Sequence, residues 1–333
     1  MVTAAVQEIL PKLSAIHGAR KLLARYLSTP TRLAPAPSLS RTTGRRVYLK
    51  LETELPTASF KVRGALYALA KNLHRAPIRE VVASSTGNHG AAVAYAASLL
   101  GLKATVYLPE NCNPVKRERI ASLGATIVER GKDITDAFQE VARYAQDHGA
   151  YLLNDATDED LPAGPGTIGC EILEQLPNVY AIFVPMGDTA LIRGIAAAAK
   201  QISPGVRIVG VQSEQAPAYY LSWKQGEAVC TETCDTIADG LSTRTTVPEN
   251  VRAIRRLVDD VVLVSDQQML DAIARLLFDE QVLAEPSGAG TTAAMLHHKS
   301  QGGENVVLVV SGANISREVL QRAIAPRSSG AKC

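Results

Sequence analysis

Short runs of β-branched and apolar residues alternate with longer stretches of helical periodicity along nearly the whole chain. The runs Val47–Leu51, Val81–Ser84, Lys103–Leu108, Thr126–Val128, Tyr151–Leu153, Ala181–Val184, Arg207–Val211, Val261–Val264 and Asn305–Val310 have strand length. Most are apolar throughout, which suits parallel strands covered on both faces rather than a half-exposed sheet. Between them lie helical patterns at Phe60–Lys71, Gly90–Leu100, Pro114–Leu123, Ile134–His148, Thr167–Leu176, Leu191–Gln201, Asp266–Glu280 and Gly290–His297. This rhythm predicts an α/β fold, because right-handed βαβ crossovers lay helices on both faces of a parallel sheet. At 333 residues the chain is long enough for two such doubly wound units.

Composition narrows the partners. Hydrophobic residues at 46% and charged residues at 20% exclude a disordered or disulfide-scaffold chain. A net charge of +2 is too small for the basicity of a nucleic-acid binder, so a small-molecule ligand is expected and a nucleic acid is not. No stretch reaches the ~18 consecutive apolar residues of a membrane span, so no membrane partner is expected. The five cysteines, Cys112, Cys170, Cys230, Cys234 and Cys333, are odd in number and scattered. That suits a reducing compartment, with the cytoplasm as the expectation, and the Cys230/Cys234 spacing completes no zinc set. Segment 1–27 carries Glu8 and Pro11 and the periodic Val6, Ile9, Leu10, Leu13 and Ile16, which predicts an amphipathic helix rather than a secretory leader. The tail 326–333 is expected to fray.

Four turns carry chemistry. Ala58–Ala65 follows the strand Val47–Leu51 at a helix start and contains Lys61. Most first-turn lysines are simply solvated; here, the helix dipole and any burial would lower the ammonium pKa toward a nucleophilic amine. Ala83–Gly90 is a strand end, a small polar turn and a helix start, whose free N–H groups would cradle a carboxylate. Alone it is explained as readily by capping through Ser85 or Thr86. Val184–Leu191 is a third strand-to-helix turn, and Val310–Asn314 follows the last strand. Ligands of doubly wound sheets bind outside the carboxyl ends of the strands, so four such turns converge on one cleft.

Together these residues resemble the fold-type II pyridoxal-phosphate enzymes, in the threonine dehydratase and serine racemase branch, over about residues 20–320. Ser59-Phe60-Lys61-Val62-Arg63-Gly64-Ala65 looks like the family's SFKxRGA motif, and Ser85-Thr86-Gly87-Asn88-His89 like its S-x-GNH motif. Thr236–Leu241, Glu285–Ala289 and Ser311–Asn314 follow in family order, resembling TIADG, EPxGA and SGGN. The resemblance implies a tryptophan-synthase-β-like fold with pyridoxal 5'-phosphate between a large domain (1–72 and 154–325) and a small inserted one (73–153). It implies that Lys61 forms the Schiff base and moves the Cα proton, with Phe60 beside the ring. It further implies that Asn88 bonds the cofactor's O3′, Ser311 its pyridine nitrogen, and that Gly240 and Glu285 line the site. Gly187, Asp188, Thr189, Ala190 and Leu191 form the phosphate turn, while Ser85, Thr86, Gly87, Asn88 and His89 take the substrate carboxylate. A homodimer is implied as well.

The departures matter as much. The family's phosphate turn is a run of four glycines, and this chain keeps only Gly187. Asp188 would repel a phosphate dianion, so it is expected to turn away as a cap or to pair with Arg193, leaving Thr189 to contact the phosphate. Racemases of the branch place a serine where this chain has Thr86, as a second acid/base; the extra methyl favours one-base elimination. Gln212 stands where the branch's cation site has an acidic residue, so no divalent metal is expected. The implied reaction is β-elimination from a β-hydroxy-α-amino acid of the L-threonine/L-serine type, or a bulkier one such as L-threo-phenylserine. The alternatives are an amino-acid racemase and a non-catalytic cofactor-binding protein. Tyr219, Tyr220 and Trp223 either shape the pocket or a subunit contact, or pack in the core.

Overall fold

The computed structural model describes residues 10–297 and 303–325; the expected start of the first helix at 1–9, the tail 326–333 and Cys333 lie outside the described residues. The strands are β1 (Leu33–Pro35), β2 (Arg46–Leu51), β3 (Glu80–Ser84), β4 (Lys103–Leu108), β5 (Thr126–Glu129), β6 (Tyr151–Leu152), β7 (Ala181–Pro185), β8 (Arg207–Ser213), β9 (Asp260–Val264) and β10 (Asn305–Val310). The helices are α1 (Leu13–Leu23), α2 (Pro37–Thr43), α3 (Lys61–Arg75), α4 (Asn88–Leu99), α5 (Pro114–Ser122), α6 (Ile134–His148), α7 (Ala163–Gln175), α8 (Ala190–Ile202), α9 (Ala218–Gln225), α10 (Pro248–Leu257), α11 (Asp266–Asp279), α12 (Pro286–His297) and α13 (Arg317–Ile324). All nine sequence-predicted strands form, within a residue or two of their expected ends.

They make two sheets, in the orders β1-β2-β10-β7-β8-β9 and β5-β4-β3-β6. Every pair is parallel except β1 with β2. The central strand β10, Asn305-Val-Val-Leu-Val-Val310, is buried along its whole length between β2 and β7, as two-faced coverage demands. β1 was not foreseen: it is three residues ending in Pro35, and proline, lacking an N–H, is tolerated only at such an edge. Local signals set several helix ends. Asp133 caps α6 by accepting from Thr135 N at 2.8 Å and Asp136 N at 2.9 Å, and Gly149 closes it at φ 64°. Ser265 and Gln268 form a capping box on α11.

Helix α7 starts four residues before its expected start at Thr167, running through Ala163-Gly164-Pro165-Gly166. Such a stretch reads as a loop, yet a Cβ on Gly164 would lie 2.4 Å from Arg63 O. Only glycine lets α7 lie this close to α3, and the packing gained there overrides poor helix propensity. Likewise α12 begins at Pro286, ahead of its expected start at Gly290, since proline suits a first turn.

A buried charge network fixes the start of α3. Arg63, fully buried, donates from Nε to Glu52 Oε2 at 2.7 Å and from Nη1 to Glu171 Oε1 at 2.6 Å. Lys50 Nζ reaches Glu171 Oε2 at 2.7 Å, and Thr31 Oγ1 accepts from Arg63 Nη2 at 3.2 Å. The network ties β2 and α7 to α3 two residues beyond Lys61. The far side of α3 sends Val62, Leu66 and Leu69 into the core over the four-stranded sheet, against Val81, Ala83, Ala92 and Val106.

Candidate active site

The carboxyl ends of β3, β7 and β10 and the turns that follow them surround a cavity of about 520 Å³. Of the sequence-predicted site residues, Lys61, Ser85, Thr86, Gly87, Asn88, His89, Asp188, Gly240 and Glu285 line it. Phe60, Gly187, Thr189, Ala190, Leu191 and Ser311 stand behind that wall, all nearly buried. Phe60 donates its backbone N–H to Ser311 O at 3.0 Å, joining the lysine turn to the end of β10. Tyr219 does not reach the cavity: it packs in the core with Tyr220 and Trp223 at its margin.

Lys61 is the first residue of α3, with its Nζ hydrogen-bonded to the carboxylate of Asp155 and 5.6 Å from the Phe60 ring centre. The expected lowering of its pKa does not occur. Burial does pull the ammonium down, but the charges of Asp155 and Asp188 more than offset it and the net shift is upward. Asp155 follows β6, and although burial opposes its ionisation, Lys61 holds its carboxyl far below the usual range. In the cofactor-free protein Lys61 therefore rests as an ion-paired ammonium.

His89 lies in the first turn of α4. Its Nε2 is 2.9 Å from Leu153 O, so that nitrogen carries a hydrogen, and Nδ1 faces Asp155 Oδ2 at 3.8 Å. Its neighbour Asn88 is fixed from both ends: its amide donates to Glu285 Oε1 at 2.7 Å, and its oxygen accepts from the Asn314 side chain. Asn314 N donates to Glu285 Oε2 at 3.0 Å. Buried among these groups, the Glu285 carboxyl is pushed up to about 7, the hydrogen bonds from Asn88 and Asn314 offsetting burial only in part. A raised carboxyl pKa favours folding while the group holds its proton, and that contribution is lost as pH rises toward 7. Glu285→Gln is therefore expected to flatten the loss of stability of the cofactor-free protein between about pH 5 and pH 8. Melting temperatures at the two pH values test this; equal losses in both proteins would refute it.

The third turn leads from β7 into α8. Thr189 caps α8 in the left-handed region, φ 70°, where a glycine would sit without strain. Gly187 has no freedom to change, since a Cβ there would lie 2.0 Å from Gly240 O. Gly187→Ala is expected to cost roughly 1–3 kcal/mol, as overpacking against a fixed backbone does; an unchanged melting temperature would refute the close approach. Gly240 is itself held by Ser287, whose Oγ accepts from Gly240 N at 3.0 Å.

Asp188 corrects an expectation. It neither turns away nor pairs with Arg193; it faces the cavity, where Thr243 Oγ1 donates to its Oδ1 at 3.4 Å. Burial and the nearby Asp155 charge push its carboxyl up to about 6. Arg193 instead turns back along α8 to Thr189. The backbone N–H groups of the first turn of α8 lack intrahelical partners and carry the positive end of the helix dipole, so this turn fits an anionic group.

Several residues of the site were not foreseen as such. Asp155 is a single carboxylate in the acidic stretch Asn154–Asp160; its position just past a strand end was the available signal. Asn314 was noted only as part of a motif. Lys116, Arg119, Ser287 and Thr243 also line the cavity. Arg119 Nη2 donates to Thr57 O at 3.0 Å, and Lys116 Nζ bonds Asp239 across the cavity mouth. Gln212 is buried and accepts from Tyr220 N at 2.8 Å.

Comparison with known proteins agrees with this geometry. The pyridoxal-phosphate dependent enzyme family matches residues 24–312. The L-threonine ammonia-lyase of Thermotoga maritima is 36% identical over 294 residues, covering 88% of this chain and 73% of that protein. The structure of maize serine racemase superposes with a TM-score of 0.89 at 30% identity, covering 94% of this chain and 97% of the other. The crystal structure of the T.th. threonine deaminase gives a TM-score of 0.85 at 34% identity, covering 92% of this chain and 99% of the other. With a half-buried lysine at a helix start, a small polar turn at α4 and an anion-ready turn at α8, the chain belongs to the pyridoxal-phosphate dependent enzymes of fold type II, in the threonine dehydratase and serine racemase branch.

Proposed function

We propose that the protein eliminates water from a β-hydroxy-α-amino acid of the L-threonine/L-serine type, and that the unsaturated product then takes up water to release a 2-oxo acid and ammonia. The observation that carries this reading is the Lys61–Asp155 pair in a cavity lined also by the N-terminal turn of α4. Relatives named threonine ammonia-lyase and threonine deaminase support it.

Lys61 would hold the cofactor's carbonyl carbon, Asn88 its ring hydroxyl, Ser311 its ring nitrogen, and the turn Gly187–Leu191 its phosphate. The bound cofactor supplies an electron sink that acidifies the substrate's Cα–H bond. The remaining work belongs to side chains. Ser85, Thr86 and the backbone N–H groups through His89 hold the substrate carboxylate, preorganised at a helix end so that little reorganisation is needed. Asp155 pairs with the Lys61 ammonium while that amine is free; in its neutral form Lys61 takes the proton from Cα, and the β-hydroxyl takes up a proton and leaves as water. Asn88, braced by Glu285 and Asn314, keeps one orientation throughout. The reading extends to a homodimer acting in the cytoplasm, and to a small domain at 73–153 inserted in a larger one, a division supported by the four-stranded sheet drawn from residues 80–152. No described helix is long and apolar enough to cross a membrane.

Racemisation is the second reading, favoured by the similarity to maize serine racemase. Thr86 lines the cavity and its hydroxyl is the candidate second acid/base, with a methyl that crowds the same space. Following 2-oxo acid release and D/L exchange with L-threonine, L-serine, D-serine, threo-3-hydroxyaspartate and L-threo-phenylserine separates the two. Elimination predicts 2-oxo acid exceeding enantiomer for an L-substrate; enantiomer without 2-oxo acid would overturn it. Whichever substrate reacts fastest identifies the side chain accepted, phenylserine marking the bulkier preference.

A further inference from the structure

Among the described residues two arginines, Arg63 and Arg193, are fully enclosed, and they are treated oppositely. Arg63 is neutralised by Glu52 and Glu171. Arg193, on α8, is 1% exposed, and its polar contacts are all with neutral groups. Its Nε donates to Thr189 Oγ1 at 3.1 Å and its Nη2 to Ala156 O at 3.4 Å. Its Nη1 is buried and has no hydrogen-bond partner among the described residues, and none of their carboxylates pairs with it.

The charges of Asp188, Asp155 and Asp158 act on Arg193 only from beyond contact; a guanidinium shut away from water with no carboxylate in contact is unfavourable, and Arg is not readily relieved by losing its proton. Burial pulls its pKa down to about 10, which still leaves it charged at neutral pH. The unpartnered Nη1 leaves room for an anion in direct contact, which no described carboxylate provides. Thr189, which Arg193 holds, caps α8 at the turn that has lost three of the family's four glycines. Cβ atoms at 188, 189 and 190 reduce the room for backbone N–H groups to close around an anion, and Asp188 adds an acid there. A fixed positive charge behind the turn compensates for both.

We propose that Arg193 is the counter-charge of the cofactor's phosphate group, held against the Gly187–Ala190 turn through Thr189. The proposal rests on the reading that this turn takes the phosphate, and it makes the phosphate site of this protein a guanidinium-backed turn rather than a glycine cradle. Binding of the cofactor then completes a buried ion pair that the cofactor-free protein leaves open.

Cofactor binding and stability test this without recourse to activity. Wild type, Arg193→Met and Arg193→Lys are freed of cofactor and titrated with pyridoxal phosphate and with pyridoxal, which lacks the phosphate, following visible absorbance. Arg193→Met is expected to weaken pyridoxal phosphate by ~10- to 100-fold, the loss of one charged hydrogen-bonding group, and to leave pyridoxal unchanged. Arg193→Lys, retaining the charge, should fall between. Because Arg193→Met removes a buried charge that no carboxylate contacts, the cofactor-free variant should melt at a higher temperature than wild type. Inorganic phosphate should raise the melting temperature of wild type and not of Arg193→Met.

Unchanged affinity for pyridoxal phosphate in Arg193→Met, or equal weakening of both ligands, would overturn the proposal. A cofactor-free Arg193→Met that melts lower or fails to fold, with Arg193→Lys binding both ligands as wild type does, would assign Arg193 to the framework and overturn it too. If wild type itself binds the two ligands equally, the phosphate reading of the turn fails and this inference falls with it.

Discussion

Lys61→Ala is expected to abolish the visible absorbance of bound cofactor and to lower 2-oxo acid release by at least ~10⁴-fold, the upper range for loss of a single acid/base group. The loss should exceed that of an ordinary acid or base because one nitrogen serves twice, as the point of attachment and as the carrier of the Cα proton. The site is built around that nitrogen: it ends against Asp155, beside the Phe60 ring, on the first residue of α3. The fold should survive the change, since the cavity is open to water and Asp155 can be hydrated. A variant that keeps both the absorbance and turnover would show that another amine does this work.

The second large effect concerns stability. Arg63→Ala is expected to destabilise the protein by about 3–5 kcal/mol, the range for removing one partner of a buried ion pair. Glu52 and Glu171 would be left facing each other and Lys50 in a dry interior, with Thr31 and Thr167 losing their donor. The damage should not stop at stability. Arg63 anchors the first turn of α3, so any displacement moves Lys61 relative to Asp155, and cofactor affinity should fall alongside. Urea denaturation with and without cofactor measures both; a loss under about 1 kcal/mol, the scale of an exposed pair, would show that the network is dispensable.

The parallel sheets were legible because their strands are uniformly apolar, a pattern that depends on burial of both faces and on little else. β1 was hidden by its length and its proline, and the start of α7 by glycines whose value lies in contact with α3. The turns of the site were readable for a related reason: a strand end, small polar residues and a helix start occur together in the sequence. Charge relations were not. The lowering of the Lys61 pKa was argued from burial and the α3 dipole, which are local. Its reversal comes from Asp155 and Asp188, 94 and 127 positions along the chain, carried to Lys61 by β6 and β7. Asp188 fails for the same reason: Arg193 is five residues away but is drawn to Thr189 by the helix that holds both. Spacing along the chain locates groups that are able to act; only the fold decides which of them meet.

Lys61 is the residue expected to hold the cofactor. Reduction of the cofactor-loaded protein with borohydride, followed by proteolysis and mass spectrometry, tests it most directly, because reduction makes the link between lysine and cofactor permanent. The added mass is expected on the peptide containing Lys61 and on none containing Lys50 or Lys116. Modification of a different lysine, with Lys61 recovered unmodified, would contradict it.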